Sequence, residues 1–570
     1  MSRQSVYLGV KYGGNDTAAA LMIDGEIVAA CEQERYTGDK HSRRFPSDAI
    51  ADCLAIGGVS MDDVTELAFV NDTIRMLREI YLRPALTSHE RIGFMFQDMD
   101  RLREYWNMEQ IVRENTGYKG PLSFNRHHLC HAASTYFPSG FPEALILSID
   151  GMGELESGIL ATGRDGQLAV RHDANHYPHS LGLAYSAVTD YLGWLHHCDE
   201  GIVMGLAPFG DPEAEVAAGG RSCLEVFRDI IRETGPYEFV IDPDWMDYFT
   251  VRDKWVTDRF LETFGPRRAP GGEIEQRHKD IAAALQVRLE EIVLAHLARA
   301  REDFGLSKLC IAGGVGLNCK LNGKIEQSGL FDEIFVQPAS GDNGCAVGAC
   351  YLAAQRNGGV AIRRRDNTYL GSRFTNQEIE AVLRESGQAY RAVEDASSEA
   401  AAYVAEGRIV GWFQGAAEFG PRALGNRSII CRPFPESMKD HINARVKFRE
   451  DFRPFAPAVL AERTRDYFEL GQPSPHMLIA SQAVPERQDE IAAVVHVDGS
   501  CRAQTVTPEQ NPRFYRLIAR HEELTGCPVV LNTSFNVKGE PIVNTPRQAL
   551  DCFLSTRIDC LVIGDFVVEK

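Results

Sequence analysis

No apolar run of roughly 18 residues, the length a membrane helix needs, occurs in this chain. Its start, MSRQSVYLGV, also lacks the basic, then apolar, then small-residue order of a secretion signal. Neither membrane insertion nor export is expected, and the expected address is the cytoplasm. No cysteines are spaced C-x-x-C although 14 are present, and Cys310, Cys350 and Cys560 sit in apolar runs. That pattern excludes a zinc ribbon or a disulfide framework and predicts reduced, buried thiols. An excess of basic charge is missing as well: 60 Lys and Arg face 80 Asp and Glu, for a formal charge of -20. A surface that coats nucleic acid, which draws on many lysine and arginine contacts to phosphate, is therefore not expected. At 570 residues and 44% hydrophobic content the chain can bury more than one core.

What is present stands out against the acidic background. Residues 422 to 453 carry eight cations against four acids. Within EFGPRALGNRS, Arg422 and Arg427 lie among Gly420, Pro421 and Gly425, just after the apolar stretch Arg408 to Phe413. Arginines fixed beside small residues suit phosphoryl oxygens, so this local reversal of sign points to an anionic small-molecule ligand. A solvated basic face is the alternative.

The first residues alternate as strands: VYLGVKY, a Gly13-Gly14 turn, TAAALMI, the hairpin signal Asp24-Gly25 and EIVAACE. The same order returns in ALILSID, a Gly151-Met152-Gly153 turn, SGILAT, Asp165-Gly166 and QLAVRHD. Such repetition predicts a duplicated α/β domain of an actin-like or sugar-kinase-like kind. Arg277 to Phe304 keeps apolar residues at helical spacing and leads to the strand LCIAGG. Gly313 and Gly314 follow that strand, where glycine allows a ligand close to the backbone, and Asn318 can hydrogen-bond ribose, base or local backbone. A second glycine turn, Ser340 to Gly344, opens another helix, whose free N–H groups favour an anion. The composition shift at Gln355 to Asp366 reads as a linker, which gives domains of 1–357 and 358–570.

His127 and His131, four apart in NRHHLCHAAS, share one face of a helix and can chelate a metal, whereas His128 points elsewhere. Helices also carry such pairs as capped or solvated groups. Asp150 ends an apolar strand, where a carboxylate needs a partner, and Asp342 occupies the later glycine turn. Two histidines and two carboxylates suit Fe(II), Mn(II) or Zn(II).

Eight ordered motifs carry a resemblance to a known family. They are CEQER at 31, HHLCHAASTYFPSGF at 127, DEGIVMGLAPFG at 199, AGGVGLNCKLNGKI at 312, PASGDNG at 338, EFGPRALGNRSI at 418, VKFREDFRPFAPAV at 446 and NTSFNVKGEPIV at 532. Over essentially its full length the chain resembles the ATP-dependent O-carbamoyltransferases of the nodulation-factor, cephamycin and aminoglycoside type. The resemblance implies an actin-like N-terminal domain that transfers a carbamoyl group, and a YrdC-like C-terminal α/β domain that makes carbamoyl adenylate from carbamoyl phosphate and ATP. It implies His127, His131, Asp150 and Asp342 as ligands of a divalent metal, iron first and manganese or zinc as alternatives. Gly313, Gly314, Asn318 and Asn343 are implied for the nucleotide, with Ser534 and Asn536 added. Arg422, Arg427, Lys447, Arg453, Arg502 and Lys538 are implied as the adenylation-site cations.

Asp16, Lys40, His41 and Glu200 are candidates for the acceptor pocket, against a turn aspartate, a solvated charge run and a helix-terminus acid. Relatives often carry a histidine where this chain has Asn15 and a lysine where it has Ile202. The expected partners are carbamoyl phosphate and a hydroxyl-bearing small molecule, with neither nucleic acid nor membrane, and a homo-oligomer is left open. A tRNA threonylcarbamoyl-type transferase and an actin-fold small-molecule kinase are the rival functions.

Overall fold

Residues 4–173, 175–250 and 254–570 are described by a computed structural model. They fall into two units. One holds residues up to Ile27, Arg43–Ile50 and Gly57–Arg365; the other holds Val28–Ser42, Ala51–Ile56 and Asp366–Lys570. The CEQER segment counts with the second unit. Arg35 explains why: it is buried, bonded to Glu32 at 2.8 Å, and donates to the carbonyls of Gly420 at 2.7 Å and Ile542 at 3.4 Å.

In the first unit, strands β1 (Val6–Lys11), β2 (Ala18–Ile23), β3 (Glu26–Glu32), β4 (Glu66–Val70) and β5 (Leu122–Asn125) form a sheet in the order β3-β2-β1-β4-β5. β1 runs antiparallel to β2 and parallel to β4, and β4 runs parallel to β5. β3 leaves the first unit after Ile27. A second sheet contains β6 (Glu143–Ile149), β7 (Gly158–Arg164) and β8 (Gln167–His172). Beyond the small hairpin of β9 (Ile231–Gly235) and β10 (Glu238–Ile241), it is completed by β11 (Lys308–Ala312) and β12 (Glu333–Val336), in the order β12-β11-β6-β7-β8. Here too the first strand is antiparallel to the second and parallel to the fourth, which is parallel to the fifth. Order and sense repeat, so the unit is a duplication. Both hairpin turns have two left-handed residues, Asp24 and Gly25 at φ 49° and 83°, Asp165 and Gly166 at 46° and 78°. That is the twist-matched conformation Asp-Gly favours.

Each half also lends a helix to the other. His127–Ser139 follows β5 of the first sheet and packs on β6 and β11 of the second. Cys345–Arg356 follows β12 of the second and packs on β1 and β4 of the first. Glycines permit the approach: a Cβ on Gly348 would lie 1.8 Å from the Cys130 carbonyl, and one on Gly9 would lie 2.0 Å from that of Ala346. The long helix Gln276–Phe304 matches the periodic stretch read from sequence.

The second unit has an eight-stranded mixed sheet. Its strands are β13 (Tyr390–Ala392), β14 (Val410–Phe413), β15 (Arg427–Cys431), β16 (Ala456–Leu460), β19 (Gln504–Val506), β20 (Val529–Ser534), β21 (Cys560–Ile563) and β22 (Phe566–Glu569), while β17 (Ser481–Gln482) and β18 (Ser500–Cys501) pair apart. The order is β13-β22-β21-β14-β15-β20-β16-β19. Trp412, Ile430, Val530 and Val562 pack with residues of the helices Ala396–Ala405 and Pro512–Thr525 into its core. All 14 cysteines are free thiols, and among the described residues no helix is long and apolar enough to cross a membrane.

Two candidate functional sites

The first site forms where the two halves of the duplicated unit meet. His127 and His131 stand one turn apart on their helix with Nε2 atoms 3.1 Å from each other. Asp150, just past β6, places Oδ2 at 2.9 Å from His131 Nε2 and 3.4 Å from His127 Nε2. Asp342, in the turn Asp342–Gly344, brings Oδ1 to 3.4 and 3.8 Å from the same nitrogens. One donor atom from each of the four lies within 4.8 Å of all the others. Sequence reasoning had proposed these four as one set, and the fold gathers them. His128 turns away to Ser148 Oγ at 2.8 Å and the Glu156 carbonyl at 2.9 Å.

The neighbours orient this group. Asn71 Oδ1 lies 3.1 Å from His127 Nδ1, on the side of the ring away from the cluster. Glu154 Oε1 accepts from the backbone N–H groups of His127 and Asp72. Lys11, fully buried at the end of β1, bonds the far oxygen of Asp342 at 3.1 Å. Burial lowers the Lys11 ammonium, but Asp342 outweighs it and leaves it raised. For Asp150, burial is outweighed by hydrogen bonds from His127 and His131, which hold it well below the usual carboxylate range. Burial likewise opposes ionisation of Asp342, and Lys11 and His127 bring it down to about 2.

The glycines of this unit crowd protein rather than leaving an open cradle. Gly313 has φ 91°, and a Cβ there would lie 2.2 Å from the Ile149 carbonyl; at Gly314 it would lie 3.0 Å from Asp150 Oδ1. Asn318 caps the helix Cys319–Gln327 and exchanges amide bonds with Gln286 at 2.9 and 3.2 Å. Asn343 Oδ1 accepts the Gly344 N–H. Among the acceptor candidates, Asp16 sits at φ 58° in the turn after β1. Glu200 opens the helix Glu200–Leu206 and accepts from Ser186 Oγ at 2.5 Å and the His197 N–H at 2.6 Å. Burial raises its carboxyl. His197, absent from the candidates, is exposed with φ 61° and lies against His196 and Trp255; loss of hydration pushes it down to about 4, within reach of the Asp150 and Asp342 charges.

The second site belongs to the second unit. Lys447 is buried and its ammonium meets Ser534 Oγ at 3.1 Å, the Asn536 carbonyl at 3.0 Å and Asn536 Oδ1 at 2.8 Å. Burial, then the charges of Arg449, Arg453 and Lys40, press it well below the usual lysine value. Arg449 lies 4.2 Å over the Phe455 ring and is pushed down to about 9 by burial, Arg453 and Arg502. Three of the expected residues, Lys447, Ser534 and Asn536, thus converge, and the charges of Arg453, Lys40 and Arg502 act on Lys447 or its neighbour Arg449. Such crowding of like charge is what an anion relieves. His41, at φ 56°, donates its N–H to Glu34 Oε2 at 2.8 Å. Lys538 is exposed and pairs with Glu450 at 3.2 Å.

Arg427 corrects an expectation. It is fully buried, donates to the carbonyls of Gln414, Gly415, Asn426 and Ser372, and lies 3.7 Å over Phe413. Burial pushes it down to about 9. It braces the loop rather than facing a ligand, because the strand β15 that starts with it points its side chain into the core. Glu418 closes the same loop by accepting from the N–H groups of Leu424, Asn426 and Arg427. Arg422, half-buried after exposed Pro421, remains on the loop's outer part.

Family models set these sites in context. Residues 6–351 match the carbamoyltransferase N-terminus, and residues 401–570 match the carbamoyltransferase C-terminus. The chain belongs to the carbamoyltransferase family. An uncharacterized protein of Synechocystis sp. is 41% identical over 99% of this chain and 96% of its own. Nodulation protein NolNO of Sinorhizobium fredii is 38% identical over 98% of this chain and 79% of its own. A ROK hexokinase from Thermus thermophilus matches 62% of this chain and 99% of its own at 15% identity, with a TM-score of 0.30 that bears no weight here.

Two residues of this carbamoyltransferase escaped sequence reasoning. Arg449 lay within the basic run but was not singled out, although its place between Lys447 and Arg453 was the available signal. Cys345, whose sulfur lies within 4.8 Å of donor nitrogens of His127 and His131, carried no signal, since its neighbours in sequence read as an ordinary apolar helix.

Proposed function

We propose that this carbamoyltransferase couples two half-reactions, one in each unit, to carbamoylate a hydroxyl of a small-molecule natural product. In the second unit carbamoyl phosphate loses phosphate to water, and a carbamate oxygen attacks the α-phosphorus of ATP as pyrophosphate leaves. Lys447, Arg449, Arg453, Arg502 and Arg422 offset the charge of those phosphates, and Ser534 and Asn536 hold the lysine. In the first unit the acceptor oxygen bonds the carbamoyl carbon while the bond to AMP breaks. The duplicated strand order favours an actin-like assignment for this unit, and the family resemblance a YrdC-like one for the second; the turns that carry Gly313, Gly314, Asn318 and Asn343 are proposed for the nucleotide side through their backbone, the glycine Cα atoms and the Asn318 amide being packed on protein.

The donor set of His127, His131, Asp150 and Asp342 fits a divalent cation: two imidazole lone pairs and two ionised carboxylates face one point, and the far Asp342 oxygen is held by Lys11. Iron(II), manganese(II) and zinc(II) all suit it, and such an ion supplies Lewis-acid polarisation of a carbonyl. Asp16, Glu200, Lys40 and His41 remain proposed acceptor contacts, and the expected compartment is the cytoplasm.

One observation carries this proposal: a metal-type cluster lies in one unit and a buried cation cluster in the other. Pyrophosphate release from ATP, with and without carbamoyl phosphate and with no acceptor, tests it. Release that depends on carbamoyl phosphate, lost in Lys447→Ala and kept in His131→Ala, is expected. ADP as product would replace it with a kinase, and loss of release in the folded His131 variant would sink the division of labour.

A further inference from the structure

The cluster holds two histidines with unequal support. His127 has both ring nitrogens occupied, Nε2 toward the acids and Nδ1 toward Asn71. His131 Nε2 is similarly directed, yet its Nδ1 is buried and has no hydrogen-bond partner among the described residues. A metal-ligating histidine nearly always donates its second N–H, which fixes the tautomer and the ring plane. The group beside His131 is sulfur. Cys345 Sγ lies within 4.8 Å of the donor nitrogens of both histidines and 3.8 Å from the His127 carbonyl, and the Cys345 side chain is fully buried.

The backbone leaves that sulfur little freedom. Cys345 follows directly on the turn Asp342–Gly344, so one turn delivers both an acid of the cluster and the thiol. A Cβ on Gly344 would lie 2.0 Å from the Ala339 carbonyl, and Gly348 presses its helix onto Cys130 of the histidine helix.

We propose that Cys345 is a positioning residue of the cation site: its sulfur accepts the His131 Nδ1–H and so turns the Nε2 lone pair onto the ion. Asn71 does the same for His127. The inference rests on the proposal that His127, His131, Asp150 and Asp342 hold a divalent cation.

Cobalt(II) titrated into metal-free, full-length protein tests this by visible and near-ultraviolet absorption. The wild type is expected to show d–d bands without a thiolate charge-transfer band. Cys345→Ala should weaken cobalt binding roughly 10- to 100-fold, and Cys345→Ser, which keeps an acceptor, should restore most of it. Nitrogen-15 spectra of the wild-type imidazoles should place the His131 proton on Nδ1, and Cys345→Ala should lose that preference. Unchanged affinity and tautomer in the alanine variant would make Cys345 a space-filler and overturn the proposal. A charge-transfer band that vanishes in Cys345→Ala would make it a direct ligand and overturn it equally. Failure of the cation reading looks different: wild type and His131→Ala would then bind cobalt equally poorly.

Discussion

Arg422 and Arg427 share a decapeptide and a charge, and the structure gives them different work. Arg427 spends its guanidinium on four carbonyls inside the protein, so Arg427→Ala leaves buried acceptors without donors, at about 1–3 kcal/mol for each one stranded. Arg427→Ala should therefore lower the thermal midpoint of the protein clearly, whereas Arg422→Ala should leave it nearly unchanged and remove carbamoyl-phosphate-dependent pyrophosphate release. Differential scanning fluorimetry beside the pyrophosphate assay separates the two, and a stable Arg427→Ala would contradict the bracing role. Residue type and spacing identified both arginines as a pair of interest. They did not reveal that β15 begins at Arg427 and turns its side chain inward, since inside and outside are set by the neighbouring strands.

At the scale of elements, periodicity and turn chemistry were legible. Asp24-Gly25 and Asp165-Gly166 both form the expected hairpin turns, because only residues tolerant of left-handed φ close a two-residue loop with the right twist. The double glycine after β11 was also visible, but its use is different from an open ligand cradle. A Cβ at Gly313 would strike the Ile149 carbonyl at 2.2 Å, and φ 91° strains any side chain. Gly313→Ala is expected to displace β6 from β11 and with it Asp150, which follows Ile149. The predicted outcome is a loss of cobalt binding larger than that from Gly329→Ala, also at a left-handed glycine but with no atom within 4 Å of the added Cβ. Equal effects of the two substitutions would mean that φ strain alone, and not the contact at Ile149, governs the site. The exchange of helices between the two sheets, by contrast, had no sequence signature: each helix is buried on nearly every side, so no single apolar stripe names its sheet, and the glycine contacts mark which one it takes.

At the scale of the whole molecule, histidines buried without charge govern the acid side of stability. Burial pushes His128 down to about 3, and His278 and His521 to about 4. An unfolded histidine titrates near 6.5, so below that pH the unfolded chain binds protons that the folded chain refuses. Stability should therefore fall as pH drops from about 6.5 toward 4, with His131, whose value is raised, acting in the opposite sense. Asp150 and Asp342 add a later loss: their lowered values contribute stability above about pH 4 that disappears as pH falls further. Denaturant midpoints at pH 7.0, 5.5 and 4.5, on metal-free protein, check the first stage. A flat profile between the first two would show that these histidines take up protons in the folded state.

The sequence by itself determined the duplication, the hairpins, the local reversal of charge and the membership of His127, His131, Asp150 and Asp342 in one set. The first three are written in residue type and short-range spacing, which the backbone must obey wherever the segment lies; the four-residue set came from the family resemblance of the motifs that carry it. Only the tertiary structure decided that Arg427 faces inward, that Gly313 crowds Ile149, that CEQER counts with the second unit, and that Cys345 stands beside His131. Those four outcomes depend on which distant segments pack together, and burial gives a residue its role only once its neighbours are fixed.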